Sequence, residues 1–264
     1  VTVMLAILSA IMFVVAILFS MLGQGGGVLY TPVQVFAGID FHVAATTSLF
    51  LIMVVSLSAT IVFRGANRVD WPLAIVLESA TAGGGLVGGL SSGRFSGSVL
   101  TLVLAGIIAF SAFFMVRNIT LDHECPQGGG VLVWRRSLGR QVYCVNLLLA
   151  LPISFLAGTI SGLVGVGGGI LKVPMMVLLF GIPMEIAVGS SAFMVGLTAA
   201  GGFAGHVASG HWDWRTSLIL AAAVFVGGQI GARQSVRIDK SKIKKGFGWF
   251  LFLIAGLMIA RAIL

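Results

Sequence analysis

Long apolar runs alternate with short polar gaps along the whole chain, at the length a bilayer demands. A spanning helix needs about 20 mostly apolar residues to cross a hydrocarbon core of ~30 Å. Such runs fall at residues 1–22, 41–63, 71–91 and 98–116, and again at 142–164, 184–207, 214–232 and 246–264. The first is too long for a cleavable signal and lacks its basic lead, so it reads as a span. In each series the first run ends at a glycine break, 23–27 or 165–169, and a short run follows, 28–38 or 170–181. A helix of that length rises only about 17 Å. It predicts a half-helix or re-entrant piece that is buried in protein or lines a polar cavity, because bare backbone in lipid would be unsatisfied. The polar stretch 117–141, with three glycines at 128–130, reads as a linker between the two series.

The second series repeats the first. Gly23, Gln24, Gly25, Gly26 and Gly27, with Pro32, match Gly165, Val166, Gly167, Gly168 and Gly169, with Pro174, at an offset of 142. After one inserted residue the offset is 143: Gly38-Ile39 answers Gly181-Ile182, Ser48 answers Ser191, Asp70-Trp71 answers Asp213-Trp214, and Arg94 answers Arg237. Convergent glycine richness would not keep Asp-Trp and the terminal Arg in register. The division this predicts is a first transmembrane repeat at 1–117, a linker at 118–141 and a second repeat at 142–264.

Composition agrees with the pattern. Charged residues are 9% of the chain and hydrophobic residues 58%, and mean hydropathy is +1.09. A soluble domain carries about a quarter charged residues, so lipid must cover much of this surface. The net charge of +8 does not point to nucleic acid, because the basic residues sit in the gaps between apolar runs. If each short run reverses direction, the gaps 64–70, 117–141 and 233–245 share one side and hold twelve Lys and Arg, against Arg94, Arg215 and Arg261 on the other. That asymmetry is what the positive-inside rule expects. The fold class is therefore an all-α polytopic membrane protein of two inverted repeats. Each repeat has about four full transmembrane helices and one half-helix or re-entrant segment after a Gly-rich break. The linker is expected in the cytoplasm.

The glycine breaks carry the candidate chemistry. Consecutive glycines admit backbone angles closed to other residues. The first amides of the following helix lack intrahelical partners and stand at the positive end of its dipole, which suits an anion. Pro32 and Pro174 are expected near the first turn, where a missing N–H costs least. Close helix packing is the plainer use of membrane glycines; the position of these breaks before short segments favours a ligand. A nucleotide loop is not indicated, since no P-loop Lys-Ser/Thr pair follows. Candidate anion-binding residues are Gln24, Gly25, Gly26, Gly27, Thr47 and Ser48 in the first half. Gly167, Gly168, Gly169, Lys172, Ser190 and Ser191 are the candidates in the second. Lys172, a cation inside an apolar run, is either a ligand or a snorkelling chain. Glu78 and His206 are candidates for proton coupling. Cys125 and Cys144 are too few for a disulfide framework, and the sequence calls for no metal and no cofactor. An enzyme is not expected either, since no paired acid and base or nucleophile and base is apparent. A secondary carrier working by alternating access, with the site between the repeats, is the leading reading; an anion channel of the same architecture, and then an intramembrane enzyme, are the alternatives.

The two Gly-x-Gly-Gly-Gly motifs, each followed five residues later by proline, resemble those of the TauE/SafE family, also called the toluene sulfonate uptake permease family. With the duplicated halves, the resemblance runs from Gly23 to about Arg261. It implies a prokaryotic inner-membrane carrier for small sulfur-containing anions such as sulfite or organosulfonates, with several members exporters and with proton coupling. Membrane lipid and the anion are the expected partners, with no nucleic acid; the oligomeric state is left open, a homodimer included.

Overall fold

The computed structural model describes residues 2–91, 105–106, 109, 112–113, 116, 132–139, 141–164, 169–208, 212–238 and 240–263. They form α1 (Thr2–Met21), α2 (Gly27–Phe36), α3 (Phe41–Gly65) and α4 (Trp71–Ser91), then β1 (Val133–Leu138) and β2 (Gln141–Asn146). After these come α5 (Leu147–Val164), α6 (Gly169–Leu178), α7 (Met184–Ala208), α8 (Trp214–Arg237) and α9 (Lys240–Ile263). Residues 105–106, 109, 112–113 and 116 are helical as well. Four helices among the described residues are long and apolar enough to cross a membrane: α1, α3, α7 and α8. Shorter apolar helical stretches lie in α4, α5 and α9. On α1, Ile7, Ile11, Val14 and Leu18 are exposed at helical spacing, while Leu8, Met12, Ala16 and Phe19 are buried on the opposite face. An outward stripe of large apolar side chains along a whole helix is one that lipid covers.

The expected short runs are helices of ten residues each, α2 and α6. At 1.5 Å per residue each rises about 15 Å, half of a hydrocarbon core. Pro174 is the sixth residue of α6, inside the helix. Pro32 holds the same place in α2, so both prolines lie in the second turn, just past the expected place near the first, and each leaves the carbonyl four residues back without its usual donor.

Two compact units divide the chain, and each draws on both halves of the sequence. In the unit made of residues 1–69 and 188–237, α8 packs along α1 and α3, and α2 lies on α3. A Cβ placed on Gly227 would stand 2.7 Å from the Phe13 carbonyl oxygen, and one on Gly231 2.2 Å from that of Ile17. Arg68 donates to the carbonyls of Ser235 and Val236 at 3.2 and 3.0 Å, putting a cation on the negative end of α8. In the unit of residues 70–187 and 238–264, α4 packs along α5. A Cβ on Gly84 would stand 1.9 Å from the Phe155 carbonyl oxygen, and one on Gly158 2.1 Å from that of Thr81. Small residues permit this backbone-to-backbone approach in place of a hydrophobic driving force. Gly84 and Gly227 are 143 positions apart, and Phe13 and Phe155 are 142 apart. The same contact is thus made twice.

The Asp-Trp pairs that keep register in the sequence are helix starts. The Asp70 carboxylate accepts from the Leu73 amide at 3.2 Å, and Asp213 accepts from the Arg215 and Thr216 amides at 3.1 and 3.3 Å. Both are N-caps, one for α4 and one for α8.

An antiparallel hairpin, β1 with β2, corrects the all-α expectation. It takes up the end of the expected linker and the first five residues of the run expected to be helical from 142, whose helix begins at Leu147. The hairpin docks on the start of α4. Arg136 reaches both Asp70 carboxylate oxygens at 2.6 and 3.0 Å, and the Tyr143 hydroxyl donates to Asp70 as well. Burial would raise the Asp70 pKa; the hydrogen bonds from Arg136, Tyr143 and the Leu73 amide outweigh it and hold the carboxyl below its usual range. A second tie runs from Gln141 to Glu185, in the first turn of α7, at 3.3 Å. Cys144 on β2 is held in a disulfide.

Candidate functional site

The first break is built by left-handed glycines. Gly23, Gly25 and Gly26 have φ of 68°, 71° and 80°, and Gly26 is the N-cap of α2 with no side-chain cap. Amides of Leu22, Gly23 and Gln24 close the end of α1 onto the carbonyls of Phe19 and Ser20. A Cβ on Gly23 would lie 2.2 Å from the Val188 carbonyl oxygen; one on Gly25 would lie 2.9 Å from the Ile52 and Val195 side chains. One on Gly26 would lie 2.6 Å from the Tyr30 ring. Glycine is needed here for conformation and for space at once.

Polar side chains crowd this break inside otherwise apolar helices. Ser191 donates to the Gly23 carbonyl at 2.9 Å, holding the break against α7. Gln34 donates to the Ser48 hydroxyl at 2.9 Å and to the Tyr30 carbonyl at 3.0 Å, joining α2 to α3. Thr47 and Ser217 share a hydrogen bond of 3.2 Å, joining α3 to α8. Three of the expected hydroxyl residues therefore hold the scaffold of the break in this structure. Gln24 is buried within it, and Ser190 is buried on α7.

Sequence reasoning missed the groups with spare hydrogen-bonding capacity. Among the described residues, the Tyr30 hydroxyl is fully buried and has no hydrogen-bond partner, and neither have the Gln34 carbonyl oxygen, the Ser56 hydroxyl and the Thr60 hydroxyl. The Tyr30 hydroxyl would lie 2.8 Å from a Cβ on Gly26, and that of Ser56 3.1 Å from one on Gly25. Both therefore front the break. Leaving a buried hydroxyl unsatisfied costs about 1–3 kcal/mol. Ser56 and Thr60 also line a cavity of about 430 Å³ between α3 and α7, whose other walls include Phe50, Met53, Phe193 and Leu197. Tyrosine occurs only twice in the chain, a rarity that was the available hint.

The second break is less fully seen, since Gly167 and Gly168 lie outside the described residues. Gly169 opens α6, and Lys172 is the fourth residue of that helix. Its ammonium meets the Glu78 carboxylate of α4 at 2.6 Å, and both side chains are buried, at 1% and 2% exposure. Two residues 94 apart in the chain thus form a buried ion pair, and Lys172 does not snorkel. It stands 142 positions after Tyr30, so the equivalent place in each half-helix carries a buried polar head. His206 lies on α7, with its side chain outside the described residues.

Apolar helices with lipid-facing stripes, two ten-residue half-helices and buried polar groups at their starts define a multi-pass membrane protein of transporter type. The chain belongs to the sulfite exporter TauE/SafE family, whose model matches residues 8–258. That is a family of membrane transporters, not of enzymes. The chain is 28% identical over 255 residues to the probable membrane transporter protein YunE of Bacillus subtilis, covering 92% of this chain and 93% of that one. It is 24% identical over 246 residues to a probable membrane transporter protein of Xylella fastidiosa, with 92% and 90% covered. To the probable membrane transporter protein MJ0441 of Methanocaldococcus jannaschii it is 24% identical over 261 residues, with 91% and 90% covered. No solved structure matches the chain.

Proposed function

We propose that the protein is a secondary carrier of the prokaryotic inner membrane for small sulfur-containing oxyanions such as sulfite or organosulfonates. The anion is held at the start of the half-helix α2, and access to it alternates between the two sides. One observation carries this reading: the fully buried Tyr30 hydroxyl, without a partner among the described residues, fronts a run of left-handed glycines at a helix start. Amides at the positive end of α2 and the hydroxyls of Tyr30 and Ser56 are donors for an oxyanion, with Gln24 beside them. Ser191, Ser48 and Thr47 keep the break in shape. Export is the direction the family's name points to. Two inverted repeats are the architecture proposed, supported by the doubled Gly84–Phe155 and Gly227–Phe13 contact.

Replacing Tyr30 with phenylalanine tests the site. The hydroxyl has no partner among the described residues, so the fold loses no hydrogen bond and stability should hold or rise. A hydrogen bond to a charged group is worth about 1.5–3 kcal/mol, so the half-saturating anion concentration should rise roughly 10- to 100-fold. Unchanged saturation in proteoliposomes would remove Tyr30 from the site.

The basic gaps, the hairpin among them, belong in the cytoplasm by their charge. The Cys144 disulfide weighs the other way, since disulfides persist in oxidising compartments; twelve basic residues against three carry the orientation. A cysteine at exposed Ser137, with Cys125 and Cys144 changed to serine, should react with an impermeant maleimide only after cells are permeabilised. Labelling in intact cells would put the hairpin outside.

A further inference from the structure

We propose that the cavity between α3 and α7 seats the body of the carried anion. The site then selects an organic oxyanion, with a short hydrocarbon body and an acceptor oxygen on it, over bare sulfite. This rests on the carrier reading above and deepens it. Ser56 is the sixteenth of the 25 residues of α3, and Gly196 the thirteenth of the 25 of α7, so the cavity they line lies at mid-helix. Of its ten lining residues only Ser56 and Thr60 have polar side chains. A volume of about 430 Å³ falls in the range of ~300–1,000 Å³ usual for small-molecule sites, which are mostly apolar with a few placed polar groups. The three oxygens of sulfite need neither that space nor those walls.

The two hydroxyls decide the occupant. A hydroxyl in an apolar helix ordinarily donates to the carbonyl one turn back, as Thr81, Thr159 and Thr198 do at 2.9, 2.9 and 3.0 Å. Ser56 and Thr60 are 2% and 8% exposed, and neither hydroxyl has a partner among the described residues. Leu57 and Leu197, at the cavity's rim, are exposed, so lipid tails lie against this side. An acyl chain, however, has no acceptor for either hydroxyl and would leave both unsatisfied at mid-membrane. The head of the carried anion satisfies Ser56. That hydroxyl stands 3.1 Å from a Cβ on Gly25, so it belongs to the break as well as to the cavity. Gly196 keeps the passage between the two clear, since a Cβ there would lie 2.9 Å from that of Ser56. Thr60 is four residues farther along α3, a rise of about 6 Å, and takes an acceptor of its own. An oxygen three carbons from the anionic head reaches it, with the hydrocarbon against the apolar walls.

The full chain in proteoliposomes tests this by competition against counterflow of labelled methanesulfonate. The two competitors have bodies of equal length, 3-methoxypropanesulfonate and pentanesulfonate. In the wild type the ether should compete at a concentration at least about tenfold below that at which methanesulfonate half-saturates. Each methylene moved from water to an apolar wall is worth about fourfold. Thr60→Val removes the hydroxyl and little else. It should weaken the ether about three- to tenfold and tighten pentanesulfonate, which no longer strands a buried donor. A folding defect does not move the two in opposite directions. Wild-type protein that takes all three anions at the same concentration overturns the proposal while leaving the carrier standing, and that comparison needs no variant to fold. A Thr60→Val protein in which ether and pentanesulfonate shift alike overturns it as well. Absence of counterflow with any of the three in the wild type overturns both.

Discussion

Replacing Gly26 with valine should abolish anion transport while the protein still inserts and extracts as a monodisperse species. Gly26 holds φ of 80°, a left-handed conformation that costs an L-residue roughly 1–2 kcal/mol. Its new Cβ would press on the Tyr30 ring at 2.6 Å, and the hydroxyl 2.8 Å away would be displaced with it. The damage falls on the proposed seat of the anion, not on the long helices that anchor the protein. Gly38 supplies the control. It has φ of 84° and open space where a Cβ would go, so Gly38→Ala meets the conformational cost alone and should still transport. If Gly26→Val carries anion at the wild-type rate, the break is only a packing device.

Replacing Gly84 with leucine should destroy the fold of its unit, whereas its neighbours tolerate alanine. A Cβ at position 84 would stand 1.9 Å from the Phe155 carbonyl oxygen, so α4 and α5 must move apart along their contact. Overpacking costs about 1–3 kcal/mol when side chains can yield, and more when, as here, the obstacle is backbone. At Gly83 and Gly85 the nearest atoms to such a Cβ lie 3.8 and 3.7 Å away, ordinary contact distances. Thermal unfolding in detergent should thus drop sharply for position 84 and stay near wild type for Gly83→Ala and Gly85→Ala. Equal melting temperatures at all three positions would deny the close approach of the helices.

Much of this was legible in the chain because a membrane span and a glycine break are local signals. The half-helices came out at ten residues each, starting within one residue of expectation. Trp71 and Trp214 keep register because Asp70 and Asp213 cap the helices they open, a local constraint that leaves a sequence trace. The hairpin was missed because residues 142–146 run without interruption into the apolar start of α5. Hydropathy does not show where strand ends and helix begins in such a run. Glu78 and Lys172 were each visible as costly charges, yet their pairing depends on how α6 meets α4, which no spacing in the sequence encodes. Tyr30 went unseen for a related reason. An aromatic in an apolar run looks like core, and only the burial of its hydroxyl without a partner sets it apart. The identity at its matched position in the second half is Lys, so comparison of the two repeats by residue type passes over it.

Sulfite counterflow into proteoliposomes decides whether the buried half-helix starts serve a carrier. The purified chain should show saturable uptake stimulated by sulfite on the opposite side, inhibited by organosulfonates and indifferent to chloride. Flux that lacks such stimulation and is carried equally by chloride would contradict it and leave a channel built from the same half-helices.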